Sequence, residues 1–203
     1  MAAPAVAAPI TGSINIGGIF RGTDAAGNNV RLSDAVAIDF CNNVTGTDCG
    51  STSTTGTGTF LVRPGGEAMI GPMFTGDTGT IKDFNFASFS APITNFLSVN
   101  GLTFDLQSIV ANTFTVPGSG RPGTSATDYL FLTGAGVFRL AGYDATPGTF
   151  TFSGQSNGIS LLGTFSFSGG AAALPVAVPV PAAFTLLGVG LVGLTLLRRR
   201  PSA

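Results

Sequence analysis

The chain has no histidine, no tryptophan, a single glutamate and only 9% charged residues. Without histidine it can assemble neither a Ser-His-Asp triad nor the common zinc sites. It contains no G-x-S-x-G elbow and no phosphate-binding loop. Charged residues ordinarily make up about a quarter of a soluble domain, so Ser, Thr, Asn and Gly must supply the polar surface here. The formal net charge of -1 hides an asymmetry. Three of the nine basic residues, Arg198, Arg199 and Arg200, stand at the very end, leaving ten acids against six bases, or -4, in the rest. A mildly acidic body with scattered basic residues has no electrostatic footprint for nucleic acid.

What is abundant is glycine, with 30 residues, and phenylalanine, with 17. At 203 residues there is room for one domain with a sizeable core. Between about residues 10 and 170 the dominant pattern is alternation with period two. It recurs at 13–20 (SINIGGIF), 83–90 (DFNFASFS), 102–110 (LTFDLQSIV), 129–133, 136–143, 148–154 (GTFTFSG) and 163–169 (GTFSFSG). Each run places Phe, Leu or Ile on one face and Thr, Ser or Asn on the other. Gly, Pro and Asn separate the runs. Residues 32–40 read either way between helix and strand. The prediction is an all-β domain over 11–170, an antiparallel β-sandwich of jelly-roll-like or immunoglobulin-like type. The GTFTFSG and GTFSFSG segments are expected to be paired strands. An outer-membrane barrel would also alternate, but the Tyr/Trp girdles of that class are missing.

Cys41 and Cys49 enclose NNVTGTD, a polar loop, and are expected to form a loop-closing disulfide. Metal ligation is the alternative, but it lacks nearby His or further Cys. Residues 50–59, rich in Ser, Thr and Gly, are expected to form a mobile loop. Paired-carboxylate chemistry would need Glu67 with an acid such as Asp77 or Asp83, and nothing but sequence proximity joins them. Asp24, Asn28 and Asn29 could offer oxygens to Ca²⁺, although their spacing fits an Asx turn better. No metal, cofactor or catalytic residue is expected, and the chain is not expected to be an enzyme.

The C-terminal end has a different composition. Pro175, Pro179 and Pro181 make residues 171–181 an extended, semi-rigid linker. Residues 182–197 carry no charge; as a helix they would span about 24 Å, against a hydrocarbon core of ~30 Å. The apolar flank before them narrows that gap. A buried core helix is the alternative, but the segment is apolar on every face and ends abruptly in arginines. Such a basic end is retained on the cytoplasmic side of a membrane. The expectation is a single C-terminal transmembrane helix over 182–197, with 198–203 as a basic cytoplasmic tail.

Val178-Pro179-Val180-Pro181-Ala182-Ala183, a Leu/Gly helix and the arginine cluster together resemble the PEP-CTERM class of bacterial sorting signals, in its Val-Pro-x-Pro-Ala form. The class usually has Glu where this chain has Val180. The resemblance covers about 25 residues. It implies that the chain is the substrate of an exosortase, a membrane-embedded cysteine transpeptidase, in a bacterium that makes exopolysaccharide.

Export requires a leader. Residues 1–10 read as the small-residue end of a signal peptide, with Ala5-Val6-Ala7 as an A-x-A motif, or as a disordered N-terminus. The first reading places the translation start upstream of Met1. The expected route is an inner-membrane anchor with the body in the periplasm, then the cell surface or the extracellular space. The expected partners are the membrane, the processing enzyme and exopolysaccharide. Two function classes follow: a structural or adhesion protein of the surface or biofilm matrix, or a carbohydrate-binding, lectin-like module. Sugar sites usually present exposed aromatics. The only tyrosines are Tyr129 and Tyr143, and the phenylalanines fit the core better, which favours the first class.

Overall fold

The computed structural model describes residues 7–42, 49, 56–64, 70–71, 73–116, 126–157 and 162–171. The predicted transmembrane helix, the sorting motif Val178–Ala183, the arginines Arg198, Arg199 and Arg200, and Glu67 lie outside these residues. Among the described residues no helix is long and apolar enough to cross a membrane.

The described residues form β1 (Ala8–Pro9), β2 (Gly12–Thr23), β3 (Asn29–Val30), β4 (Ala37–Phe40), β5 (Thr57–Arg63), β6 (Thr78–Lys82) and β7 (Phe84–Asn85). They continue with β8 (Ile93–Val99), β9 (Leu102–Val116), β10 (Thr127–Arg139), β11 (Tyr143–Asp144), β12 (Thr146–Asn157) and β13 (Leu162–Ala171). One 3₁₀ turn spans Leu32–Asp34. The ambiguous segment 32–40 is therefore both things in turn, a short helical turn and then a strand.

The fold is all-β, and the main sheet is antiparallel throughout. Its strand order is β13-β12-β10-β9-β8-β6-β5-β2, and β13 pairs back onto β2 over Leu162–Ala171. The sheet closes into an eight-stranded barrel, where the sequence predicted a two-sheet sandwich. Alternation within each strand is the same in both architectures. Only the long-range β13–β2 ladder distinguishes them, and it removes the exposed edges that an open sheet would have to protect.

An eight-stranded barrel has an interior just wide enough for side chains to fill. Phenylalanine fills this one. Phe20, Phe60, Phe104, Phe138, Phe152 and Phe167 are all at most 2% exposed. Their rings meet largely edge to face, as in Phe20 with Phe152 at 5.8 Å and Phe104 with Phe167 at 6.3 Å. The two similar segments are neighbours, as predicted: Phe152 lies across from Phe167, and Phe150 stacks on Phe167 at 5.1 Å. Glycines make room for the rings. A Cβ on Gly154 would come within 2.6 Å of Phe20, and one on Gly163 within 2.7 Å of the same ring.

Three boundaries differ from expectation. The runs at 129–133 and 136–143 belong largely to one continuous strand, β10, which ends at Arg139. The predicted strand at 83–90 shrinks to Phe84–Asn85, since Asn85 turns the chain by accepting the Ser88 N–H at 2.7 Å. The expected loop at 50–59 includes the start of β5, because Thr57–Leu61 pairs with β6 and Thr59 donates to the Cys41 carbonyl at 2.9 Å. In β9 the register shifts where Ala135 faces Ser108 and Gly136 faces Leu106. The extra residue, Gln107, lets Phe104 and Leu106 before it and Ile109 and Ala111 after it all join the core.

The outward faces of β12 and β13 carry Thr149, Thr151, Ser153, Gln155, Thr164, Ser166 and Ser168. This apolar-in, polar-out arrangement is the reverse of a barrel that shows an apolar band to lipid.

Candidate functional site

The sequence-level candidates fall in three places. Asp24 is engaged in its own turn: Oδ1 accepts the N–H groups of Ala26 (2.9 Å) and Asn28 (2.8 Å), and Oδ2 accepts the Asn28 side-chain amide at 3.0 Å. These bonds hold its carboxyl below the usual range, the Asn28 side-chain bond contributing most. The Asx-turn reading of Asp24 therefore holds. Asp77 is likewise a turn residue, accepting from the Phe74 N–H and the Asn100 amide, both at 2.7 Å.

Asp83 is different. It is 7% exposed, and its Oδ1 accepts the Phe40 N–H at 2.8 Å. The β4–β7 ladder pairs Ala37 with Asn85 and Ile38 with Phe84, and one step further it brings Asp83 beside Asp39. Burial pushes Asp83 up to about 7, with the Asp39 charge adding to the rise, and pushes Asp39 to about 6 against the pull of Arg21. Each carboxyl therefore keeps its proton to a higher pH than an exposed aspartate does. Asp83 also borders a surface depression of about 320 Å³ with Lys82, Asn85 and Ser88, which Asp39 does not line. Sequence reasoning missed Asp39 altogether, and its proximity to Asp83 comes from pairing across 44 positions of chain. Among the described residues, buried Asp39 Oδ2, Thr23 Oγ1 and Asn29 Oδ1 have no hydrogen-bond partner. Among the described residues no three of Asp, Glu, Cys and His gather as metal ligands would.

Cys41 and Cys49 form the predicted disulfide, and both are buried. Cys41 also bridges two strands of the barrel, donating to the Ile19 carbonyl at 3.0 Å and accepting from Thr59.

The feature with the shape of a binding surface lies on the outside of the barrel, across β10, β12 and β13. Leu130 and Leu132 point into the core, so Tyr129 and Phe131 point outward. Their rings stack on each other, with centroids 6.4 Å apart and planes 12° from parallel. The register places Tyr129, Gln155 and Thr164 in one row and Phe131, Ser153 and Ser166 in the next. Two adjoining depressions, of about 330 and 370 Å³, share Tyr129, Gln155 and Thr164. Among the described residues, no Asp, Glu, Lys or Arg lines either one.

No family model, curated protein or solved structure matches this chain. Of the two tyrosines, Tyr129 belongs to the groove. Tyr143 is also exposed, at 48%, in the short parallel pairing of β11 with β1 and away from Tyr129. Phe131 contradicts the expectation that the phenylalanines fit the core, since it is 36% exposed. In the run Tyr-Leu-Phe-Leu every residue is apolar or aromatic, so alternation alone does not reveal which pair faces out.

Proposed function

We propose that this protein is an exported surface or extracellular-matrix protein that acts by structure or adhesion, and that its tail is a sorting signal read by an exosortase-type enzyme. In this reading residues 182–197 hold the chain in the inner membrane, with the body in the periplasm and Arg198, Arg199 and Arg200 on the cytoplasmic side. Processing then releases the body to the cell surface or the exopolysaccharide matrix.

The observation that carries the reading is the pairing of that tail with the body's exterior. The barrel buries most of its described phenylalanines and displays uncharged Thr, Ser and Gln along β12 and β13. Such a surface interacts through hydroxyl and amide hydrogen bonds and is little affected by the ionic strength of its surroundings. A buried Cys41–Cys49 disulfide suits an oxidising compartment outside the cytoplasm.

Cell fractionation combined with mass spectrometry of the mature termini tests this. The expected result is a body in the surface or extracellular fraction with the residues beyond Pro181 removed. An intact end through Arg200 on the surface form would exclude processing and leave a plain anchor, and a wholly cytoplasmic chain would exclude export.

The second function class, a carbohydrate-binding module, is favoured by one observation, the outward aromatic pair Tyr129 and Phe131 in a groove whose described lining is otherwise mostly Ser, Thr and Gln.

A further inference from the structure

We infer that Asn100 is a site of spontaneous covalent modification, at which attack by the Gly101 backbone nitrogen deamidates the side chain and uncouples the β8–β9 turn from the loop before β6. This chemistry goes beyond export and surface display and does not depend on them.

Asn100 and Gly101 form the two-residue connection between β8 and β9, where Val99 pairs with Leu102. Both have positive φ, 46° and 81°, as a turn that matches the twist of the flanking strands requires. The pair that suits this turn best is also chemically the most reactive. Glycine has no side chain to shield the backbone nitrogen that follows the asparagine. Here both residues are exposed, and a Cβ on Gly101 would meet no atom within 4 Å.

In the reaction the Gly101 amide loses its proton and its nitrogen attacks Cγ of Asn100. The N–Cγ bond forms, the Cγ–Nδ2 bond breaks, and Nδ2 leaves as ammonia with the proton. Water then opens the five-membered imide. Cleavage of the new N–Cγ bond leaves aspartate at position 100, and cleavage of the original peptide bond leaves isoaspartate. In balance, an amide and a water become a carboxylic acid and ammonia.

Other asparagines are less suited. Asn15, Asn95 and Asn112 precede Ile16, Phe96 and Thr113, whose side chains crowd the next nitrogen. Asn95 also has a positive φ, 49°, but its N–H is tied to Asp105 at 2.8 Å and Phe96 beyond it is buried. Asn157 precedes a glycine too, Gly158, which lies outside the described residues.

The consequence follows from what Asn100 holds. Its Nδ2 donates to Asp77 Oδ2 at 2.7 Å, and the same oxygen accepts the Phe74 N–H at 2.7 Å. Asp77 therefore ties the β8–β9 turn to the loop 74–77 across 23 positions of chain. Deamidation exchanges the donor for a carboxylate, and an attraction becomes a like-charge contact. Isoaspartate also lengthens the backbone of the turn that sets the hairpin register. Ammonia escapes to solvent, so the change accumulates with the age of the molecule.

Peptide mass spectrometry tests the site. The full chain, kept in detergent, is incubated at physiological temperature in mildly alkaline and mildly acidic buffer and digested at intervals. Asn100 is expected to convert to aspartate and isoaspartate, faster in the alkaline buffer, while Asn15, Asn95 and Asn112 stay intact. Gly101→Asn keeps a residue that tolerates the left-handed turn but shields the nitrogen, and is expected to lose most of the conversion. An Asn100 that stays intact while the denatured chain converts, conversion of Asn95 or Asn112 ahead of it, or a rate that does not rise with pH would each overturn the assignment.

Asn100→Asp supplies the product carboxylate from the start and tests the uncoupling. It is expected to lower the urea midpoint of the parent and to do so less in an Asp77→Ala background. Should Asp77→Ala fail to fold, the uncharged Asp77→Asn takes its place. An equal loss in both backgrounds, or none in the parent, would overturn the coupling to Asp77.

Discussion

Asp83 lies one step past the Ile38–Phe84 pair that ends the β4–β7 ladder, close enough to feel the charge of Asp39, and both residues are largely inaccessible. Burial disfavours the charged form of each. A closed barrel with an apolar core thus carries a site whose ionisation works against the fold, and stability should report it.

The sign of the pH dependence follows from the raised values, about 6 for Asp39 and about 7 for Asp83. Below an unfolded carboxyl value near 3.9 both states hold the proton. As pH rises toward 7 the unfolded chain loses protons that the folded chain still holds, so stability falls. Urea midpoints from pH 4 to pH 8 should decline and then level off. Asp39→Asn should remove much of that slope and raise stability at pH 8 by on the order of 3 kcal/mol. A flat profile in the parent protein would contradict this account.

The opposite limb belongs to Asp105 and Asp128. Burial alone would raise both, but bonds from Arg139 and Asn95 to Asp105, and from Arg31 and Thr115 to Asp128, outweigh it and hold both below the usual range. Stability from these groups is present above the unfolded value and is lost as pH falls through the folded one. Acid titration should show a second decline below about pH 4. Maximum stability should then lie in mildly acidic solution, and a maximum above pH 7 would refute the combination.

Arg31 grips Asp128 with two bonds, Nε at 3.1 Å and an Nη at 3.0 Å, and Asp128 is fully buried. Arg31→Met would leave that carboxylate with fewer donors. The expected result is a lower denaturation midpoint with unchanged slope. An unchanged midpoint would show that the remaining bonds from Thr115 and the Ser33 backbone suffice.

Replacing Cys41 and Cys49 by serine opens a ring that spans eight positions of sequence. The chain-entropy model puts the loss at about 2.5 kcal/mol. Calorimetry of the variant against the parent, with and without reductant, measures it. A variant as stable as the parent would mean that the bond does little for the fold.

Gly154→Ala places a methyl group against Phe20, and the cost of overpacking should be about 1–3 kcal/mol. Phe20→Leu leaves space in the same place. In a double-mutant cycle the two changes should compensate each other in part. Strict additivity would show that the ring is not what requires glycine at 154.

The strands themselves were largely legible. Runs such as GTFTFSG alternate so regularly that both their strand character and their core face can be read directly, and Phe150, Phe152, Phe165 and Phe167 are buried as that pattern requires. Legibility failed where alternation was interrupted or absent. The bulge at Gln107 moves the core side of β9 from even to odd positions. In the run from Tyr129 to Leu132 both faces are apolar, so the outward pair that lines the groove was hidden. Thr57–Arg63 and Thr78–Lys82 are too rich in Gly and Thr to stand out from loops.

By itself the sequence determined an all-β body, its paired Phe-rich strands, a disulfide between its only two cysteines, and a C-terminal segment of wholly different composition. These follow from local chemistry: which residues alternate, which can cross-link, and which stretch carries no charge. Only the tertiary structure decided that the sheet closes through β13 and β2, that Asp39 comes near Asp83, and that Tyr129 and Phe131 lie on the outer face beside Gln155. Each of these depends on which strand lies next to which. Period-two alternation specifies a strand's two faces but carries no information about its neighbours, and those are chosen by the long-range packing of aromatic rings into one closed interior.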